Sequence, residues 1–267
     1  MVMDYLRRHT APVSERVWKA LDEAVAQAAR HVLAARRIAT FDGPHGWDHI
    51  AARLGTMTPC GGAPGRAVVC MPNVVLLSEI RAEFSVPWSS IEVFERGAPV
   101  FDTDAAEAAA REAALAEDRL VFYGDPVGNG LLTAKDSPRL RAQDWTRPGA
   151  IVADLVRAVE MLDERGIPGP YEAVLSTQRY YAYLQADENG YPAARQLKDV
   201  LAAVHRSPVI LGAGAVFSTR GDDFVLTVGG DLAAGYRLHD REAVHMFCVE
   251  TIAAQTVTPE AVCVLEG

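Results

Sequence analysis

Two histidines four apart, His45 and His49, stand beside Asp42 and Asp48 in the stretch FDGPHGWDHI, residues 41–50. On a helix this spacing would set both imidazoles on one face, the arrangement by which a small metallohydrolase holds zinc. Gly43, Pro44 and Gly46 break a helix there, and no Glu occupies the H-E-x-x-H position. The remaining candidate ligands, His239 and His245, fall far along the chain in a strand-rich region. The residues therefore predict structural or solvent-facing histidines and no metal site. A metallohydrolase stays open as the alternative of a different class.

Other constellations are equally thin. GAGA at 212–215 leads into a strand, whereas a dinucleotide fingerprint must open a helix, so it reads as a turn. There is no G-x-S-x-G and no P-loop. Asp222 and Asp223 follow Gly221 in a predicted hairpin turn, where aspartate serves the backbone and solvent rather than acid–base catalysis. Cys60, Cys70, Cys248 and Cys263 form no C-x-x-C pair and are expected as free thiols, with a Cys248–Cys263 hairpin pairing as a geometric option. The aromatics of QRYYAYL, residues 178–184, require at least one ring to face something outside its own core. No catalytic group emerges, and a non-enzymatic role is expected.

The elements that would carry these residues are clearer. Ser14 reads as an N-cap, and Val17, Leu21, Val25, Ala28 and Val32 form an apolar stripe on a helix ending near Arg36 and Arg37. Residues 55–72 hold four glycines and three prolines and read as a long extended arm followed by a strand. Asp104 and Glu107 resemble a capping box opening an alanine-rich helix. Ile151, Leu155, Val159 and Leu162 mark another helix closed by Gly166. EAVLS predicts a strand, followed by a helix from Thr177, a DENGYP turn and a third helix through Leu197 and Leu201. From Pro208 onward the texture is of strands: VIL, AVFST, DFVLTVG, LAAGYRL, AVHMFCVETIAAQTV and AVCVLE. The fold class is α+β.

The 267 residues are 49% hydrophobic and 23% charged, an ordinary globular composition. With 26 basic and 35 acidic residues the formal charge is −9, which disfavours nucleic acid and anionic membranes as partners. No apolar run approaches a spanning helix and MVMDYLRRH lacks a secretory core, so a cytoplasmic location is expected.

Several segments, in order, carry a resemblance over nearly the whole chain: YLRRHTAPVSERVW, RRIATFDGPHGWDHIAARLG, ERGAPVFD, AEDRLVFYGDPVGNGLL, GPYEAVLSTQRYYAYL, ENGYPAARQL, STRGDDFVLTVGGDLAAGYRLHD and VETIAAQTVTPEAVCVLE. Together they resemble a family 1, linocin-like encapsulin, a shell protein on the tailed-phage major capsid protein fold. The resemblance implies an N-terminal helix or arm at 1–40 and a peripheral domain at 41–133, with an extended loop at about 55–85 and a spine helix at about 104–122. It further implies an axial domain at 134–218 and returning peripheral strands at 219–267. FDGPHGWDHI becomes the bend joining the N-terminal helix to the peripheral domain.

By the same resemblance, copies of the chain close into an icosahedral shell around a cargo enzyme, a dye-decolourising peroxidase or a ferritin-like iron-oxidising protein. The roles implied are oxidative-stress defence or iron storage. The cargo's C-terminal peptide would dock in an apolar groove at Val25, Ala28, Val32, Arg36 and Ile38, with Leu232 and Ala234 opposite. A five-fold pore would be lined by Asp187, Glu188, Asn189, Gly190 and Tyr191, whose acids would concentrate cations. No cofactor is implied beyond the flavin that some members hold on an aromatic platform, near which Trp88 lies, displaced by one position. A phage or prophage major capsid protein is the nearer alternative.

Overall fold

In the computed structural model, residues 4–62, 67–188 and 190–267 are described. The described residues build two five-stranded sheets and two hairpins around long helices. The strands are β1 (Thr40–Asp42), β2 (Ala51–Gly61), β3 (Val69–Leu76), β4 (Ser78–Pro87), β5 (Arg139–Arg141), β6 (Tyr171–Ser176), β7 (Asp187–Glu188), β8 (Tyr191–Pro192), β9 (Ala203–Ser207), β10 (Gly214–Ser218), β11 (Phe224–Val228), β12 (Ala233–His239), β13 (Ala243–Thr256) and β14 (Val262–Glu266). The helices are α1 (Glu15–Arg30), α2 (Ala35–Ile38), α3 (Trp88–Glu95), α4 (Asp104–Tyr123), α5 (Ala150–Asp163), α6 (Thr177–Gln185) and α7 (Ala193–Gln196).

The first sheet runs β1-β11-β13-β12, with β4 also paired to β13. The 14-residue β13 organises it, meeting β4 from Ala243↔Pro87 to Ile252↔Ser78, β12 at Ala233↔Val249 and β11 at Phe224↔Thr256. On this sheet lies α4, with α1 packed against both. Ala106, Ala109, Ala110, Ala113 and Ala114 are buried on α4. Their i, i+3, i+4 spacing and small size let α1 and the sheet approach closely. Val17, Leu21, Val25 and Ala28 fill the space beneath α1, as its periodicity predicts.

The second sheet, β5-β14-β10-β6-β9, carries α5 and α6. Here the expected boundaries need correction. The C-terminal strand β14 does not return to the first sheet but inserts between β5 and β10, pairing Val216 with Cys263 and Leu265 with Leu140. Similarly, β4 belongs to the first sheet, so the arm is confined to β2 and β3 rather than reaching residue 85. Cys248 and Cys263 lie in different sheets, which removes their proposed hairpin pairing, and all four cysteines are free.

Helix ends also differ, for reasons of long range. α1 stops at Arg30 because the N–H groups of Ala34 and Ala35 bond to Asp118 at 3.1–3.2 Å, which opens the separate α2. Asp118 thus caps a helix 83 residues away. Ser14 has extended backbone but donates its hydroxyl to Glu95 instead of its own helix. The cap of α4 is Thr103, whose hydroxyl bonds Glu107 at 2.9 Å, one residue earlier than expected. The third helix shrinks to α7, with Leu197 and Leu201 buried beyond it. Residues 209–211 are not a strand, whereas 203–207 are.

Candidate functional site

FDGPHGWDHI is a structural bend. His45 donates its N–H to the Val228 carbonyl at 3.0 Å and Gly46 to Gly229 at 2.9 Å, continuing the parallel pairing of β1 with β11. Trp47 lies so close to Gly230 that a Cβ there would sit 2.3 Å from its ring, and Tyr5 stacks on it at 4.8 Å. The His45 and His49 rings are 4.7 Å apart, with His45 2.9 Å from Asp42. No cluster of three or more metal-ligating side chains exists among the described residues. Asp223 is likewise no solvated turn residue: it is buried, grips Arg220 at 2.8 and 3.0 Å, and its carbonyl holds Val257.

The arm is a two-stranded ribbon in which β2 and β3 pair from Ala51↔Leu76 to Gly61↔Val69. Strand alternation sorts its faces. Met57, paired with Pro72, shares one face with Val74 and Leu76, while Thr58 and Thr56 on the other bond Asn73 at 2.8 and 2.9 Å. Met57 is 62%, Val74 43% and Leu76 65% exposed, a stripe of large apolar side chains facing water. An isolated two-stranded hairpin is marginal in water. Fully covering each such side chain is worth about 1.5–3 kcal/mol, so the ribbon gains several kcal/mol once another surface covers it.

The predicted docking face is largely interior. Val25, Ala28 and Ala234 are buried with Leu21 and Tyr236 between α1, α4 and β12, and Ile38 is buried in the second core. An amphipathic stripe states only that it must be covered, and here its own subunit covers it. Val32 and Leu232 are half-buried beside Leu33 and Ala114 and form the open rim. Arg36 is not available for an outside charge. Its Nε and Nη2 donate to the two oxygens of Glu117 at 2.7 and 2.8 Å, Nη2 also to Glu250 at 2.8 Å, and Nη1 to Asp231 at 2.8 Å.

Beneath this rim sits a second buried acid. The Asp118 carboxylate accepts the N–H groups of Ala34 and Ala35 and the Ser207 hydroxyl, joining α2, α4 and β9. Burial pushes it up to about 7 against the opposing pull of those donors. With its folded pKa above the unfolded 3.8, stability is greatest at low pH and falls as pH rises from about 4 to about 7. At about 1.4 kcal/mol per unit, the loss over those roughly three units is on the order of 4 kcal/mol. Thermal melts at pH 5 and 8 should therefore show a smaller difference for Asp118→Asn than for the unaltered protein; equal differences would exclude this origin.

In the turn between β7 and β8, Gly190 adopts φ 83° and its N–H bonds Asp187 at 2.6 Å. Tyr191 is 53% exposed, and Asn189 lies outside the described residues. Trp88 is held by its own subunit: its indole N–H donates to the Asp240 carbonyl at 2.8 Å and His239 meets its ring edge-on at 5.8 Å.

Comparison with known proteins supplies the deciding observation. A family model described as "Encapsulating protein for peroxidase" matches residues 3–253. The type 1 encapsulin shell protein of Rhodospirillum rubrum is 33% identical over 99% of this chain and 97% of its own. The chain belongs to the encapsulin shell-protein family. The type 1 encapsulin shell protein of Rhodococcus erythropolis is 32% identical, covering 97% of this chain and 98% of its own. A virus-like particle from Pyrococcus furiosus matches the encapsulin structure with a TM-score of 0.72 at 18% identity, covering 94% of this chain and 99% of that one. The capsid of the Myoviridae phage XM1 matches with a TM-score of 0.59 at 11% identity, over 88% and 92%. These two likenesses establish the tailed-phage capsid fold. The encapsulin is thus a structural subunit of a capsid-like shell and not an enzyme, and the metallohydrolase alternative falls.

Proposed function

We propose that the shell is icosahedral and encloses a peroxidase, for defence against oxidants. The apolar arm face carries the assembly part of this reading, because a ribbon exposing Met57, Val74 and Leu76 is completed by a neighbouring copy. The family description supports the cargo class. Negative-stain microscopy of purified protein tests both: closed cages with protein inside are expected, and DNA-filled heads would favour a phage capsid instead.

Cargo docks, in this proposal, at the rim of Val32 and Leu232 through an extended apolar tail, since these are the half-exposed members of the predicted face. Val32→Asp should leave shells intact and empty of co-expressed peroxidase, measured by gel densitometry of purified cages. Unchanged loading would remove the rim from consideration. The turn of Asp187 and Glu188 is proposed to line a five-fold opening, where copies of these acids would raise the local cation concentration. Replacing both by Ala should slow ferrous-ion entry at low salt, read by a chelating dye trapped inside; identical entry rates would refute the acidic ring.

A further inference from the structure

A recess of about 280 Å3 at the C-terminal end of α1 adjoins the Val32 rim, since Val32 and Leu33 line its edge, but its polar walls have not entered the surfaces described so far. His31 and Arg37 form one wall, Tyr180 and Tyr181 of α6 a second, and His205 and Arg206 of β9 a third. None of its nine lining residues is a carboxylate, although acidic residues outnumber basic ones by 35 to 26 in the chain. The acid at its back, Glu172, is already engaged by His205 at 2.6 Å. Neither arginine joins an ion pair among the described residues, in contrast to Arg36 with its three carboxylates.

The donors are also held in place. Arg37 is fixed through Nε to the Leu33 carbonyl and through Nη2 to the Arg30 carbonyl, both at 3.3 Å, which leaves Nη1 unspent among the described residues. Arg206 donates Nη1 to the Tyr181 hydroxyl at 3.2 Å, so that hydroxyl's own hydrogen and the other Arg206 nitrogens remain to be used. Guanidinium, imidazole and phenol groups thus converge from three elements on one small space. A planar carboxylate accepts donors mostly in one plane, whereas a tetrahedral oxyanion accepts them from several directions. We propose that this cleft binds a phosphate-class oxyanion, free or carried on a nucleotide, pinning the end of α1 to the second sheet.

Assembled shells purified without phosphate should be titrated by equilibrium dialysis with radiolabelled inorganic phosphate and, separately, with ATP at constant ionic strength. Saturable binding of one ligand per subunit is expected. The exposed positions permit Arg37→Gln and Arg206→Gln to fold, which a thermal melt checks, and together they should weaken binding by at least about tenfold. Arg96→Gln, at the C-cap of α3, should leave it unchanged. Equal affinities for the two ligands would identify the oxyanion alone as the recognised group, and tighter ATP binding would identify a nucleotide-borne phosphate. Absence of saturable binding to either ligand, or equal binding by the double variant, overturns the proposal.

Discussion

The double substitution Met57→Asp and Val74→Asp is expected to abolish particle formation, leaving scattering from subunits of 28.8 kDa where the unaltered protein gives large cages. Both side chains lie on one face of the β2–β3 ribbon and are exposed in the subunit, so their replacement removes no contact from either core. Surface changes of this kind shift subunit stability by about 0.5 kcal/mol or less. Placing two carboxylates in a surface that must become buried costs far more, since each charge would lose its water without gaining a partner. Because every subunit of a closed shell repeats the same contact, the penalty recurs at each copy. Thr58→Asp, on the opposite face with Asn73 and the 60% exposed Met71, serves as the control and should assemble if the Met57 and Val74 face alone is the covered one. Cages of normal size from the Met57/Val74 variant would show that the ribbon's apolar face is not an interface.

What could be read in advance divides according to distance along the chain. The apolar stripes of α1 and α5 and the alanine stripe of α4 are local patterns, and the helices formed where their periodicity placed them. The length of α1 is not legible locally, because the group that ends it, Asp118, lies 83 residues beyond Ala35 and outside any window around Arg30. The sheet of β14 is hidden for the same reason: alternation announces a strand but not its neighbours, and Cys263 pairs with Val216 rather than with any first-sheet strand. The docking face is only partly open, for a more instructive reason. Its residues were correctly read as one apolar side of a helix, yet the pattern is identical whether that side meets a guest or its own α4. The two faces of the arm, by contrast, emerge only with register, since the bulges between Arg53 and Met57 and between Pro59 and Gly61 fix which residues share a side.

Arg36 supplies the sharpest case, because the resemblance places it in the docking groove and the fold makes it the centre of a buried charge cluster. Arg36→Ala should destabilise the subunit by about 3–5 kcal/mol, the usual cost of stranding a buried charge partner. Glu117 and Glu250 are fully buried and 2.7–2.8 Å from the guanidinium, whereas Asp231 is 46% exposed and can turn to water. Three carboxylates around one cation leave an excess of negative charge. Burial first, then the neighbouring Glu117, raises Glu250 well above the usual carboxylate range, with Arg36 opposing. A proton on Glu250 also gives a role to its Oε1, which otherwise lacks a hydrogen-bond partner among the described residues, by making it a donor toward Glu117. The sign of the pH effect follows. Removing Arg36 withdraws the attraction that favours ionisation, so the cluster takes up protons more readily and the variant recovers stability as pH falls. Denaturant titrations should accordingly show a larger deficit for Arg36→Ala at pH 8 than at pH 5. Arg36→Lys should recover only part of the loss, because one ammonium cannot reproduce the paired bonds to Glu117 together with those to Glu250 and Asp231. A deficit independent of pH would mean that Arg36 stabilises the fold by packing, for instance over the Phe41 ring at 5.4 Å, rather than by neutralising buried acids.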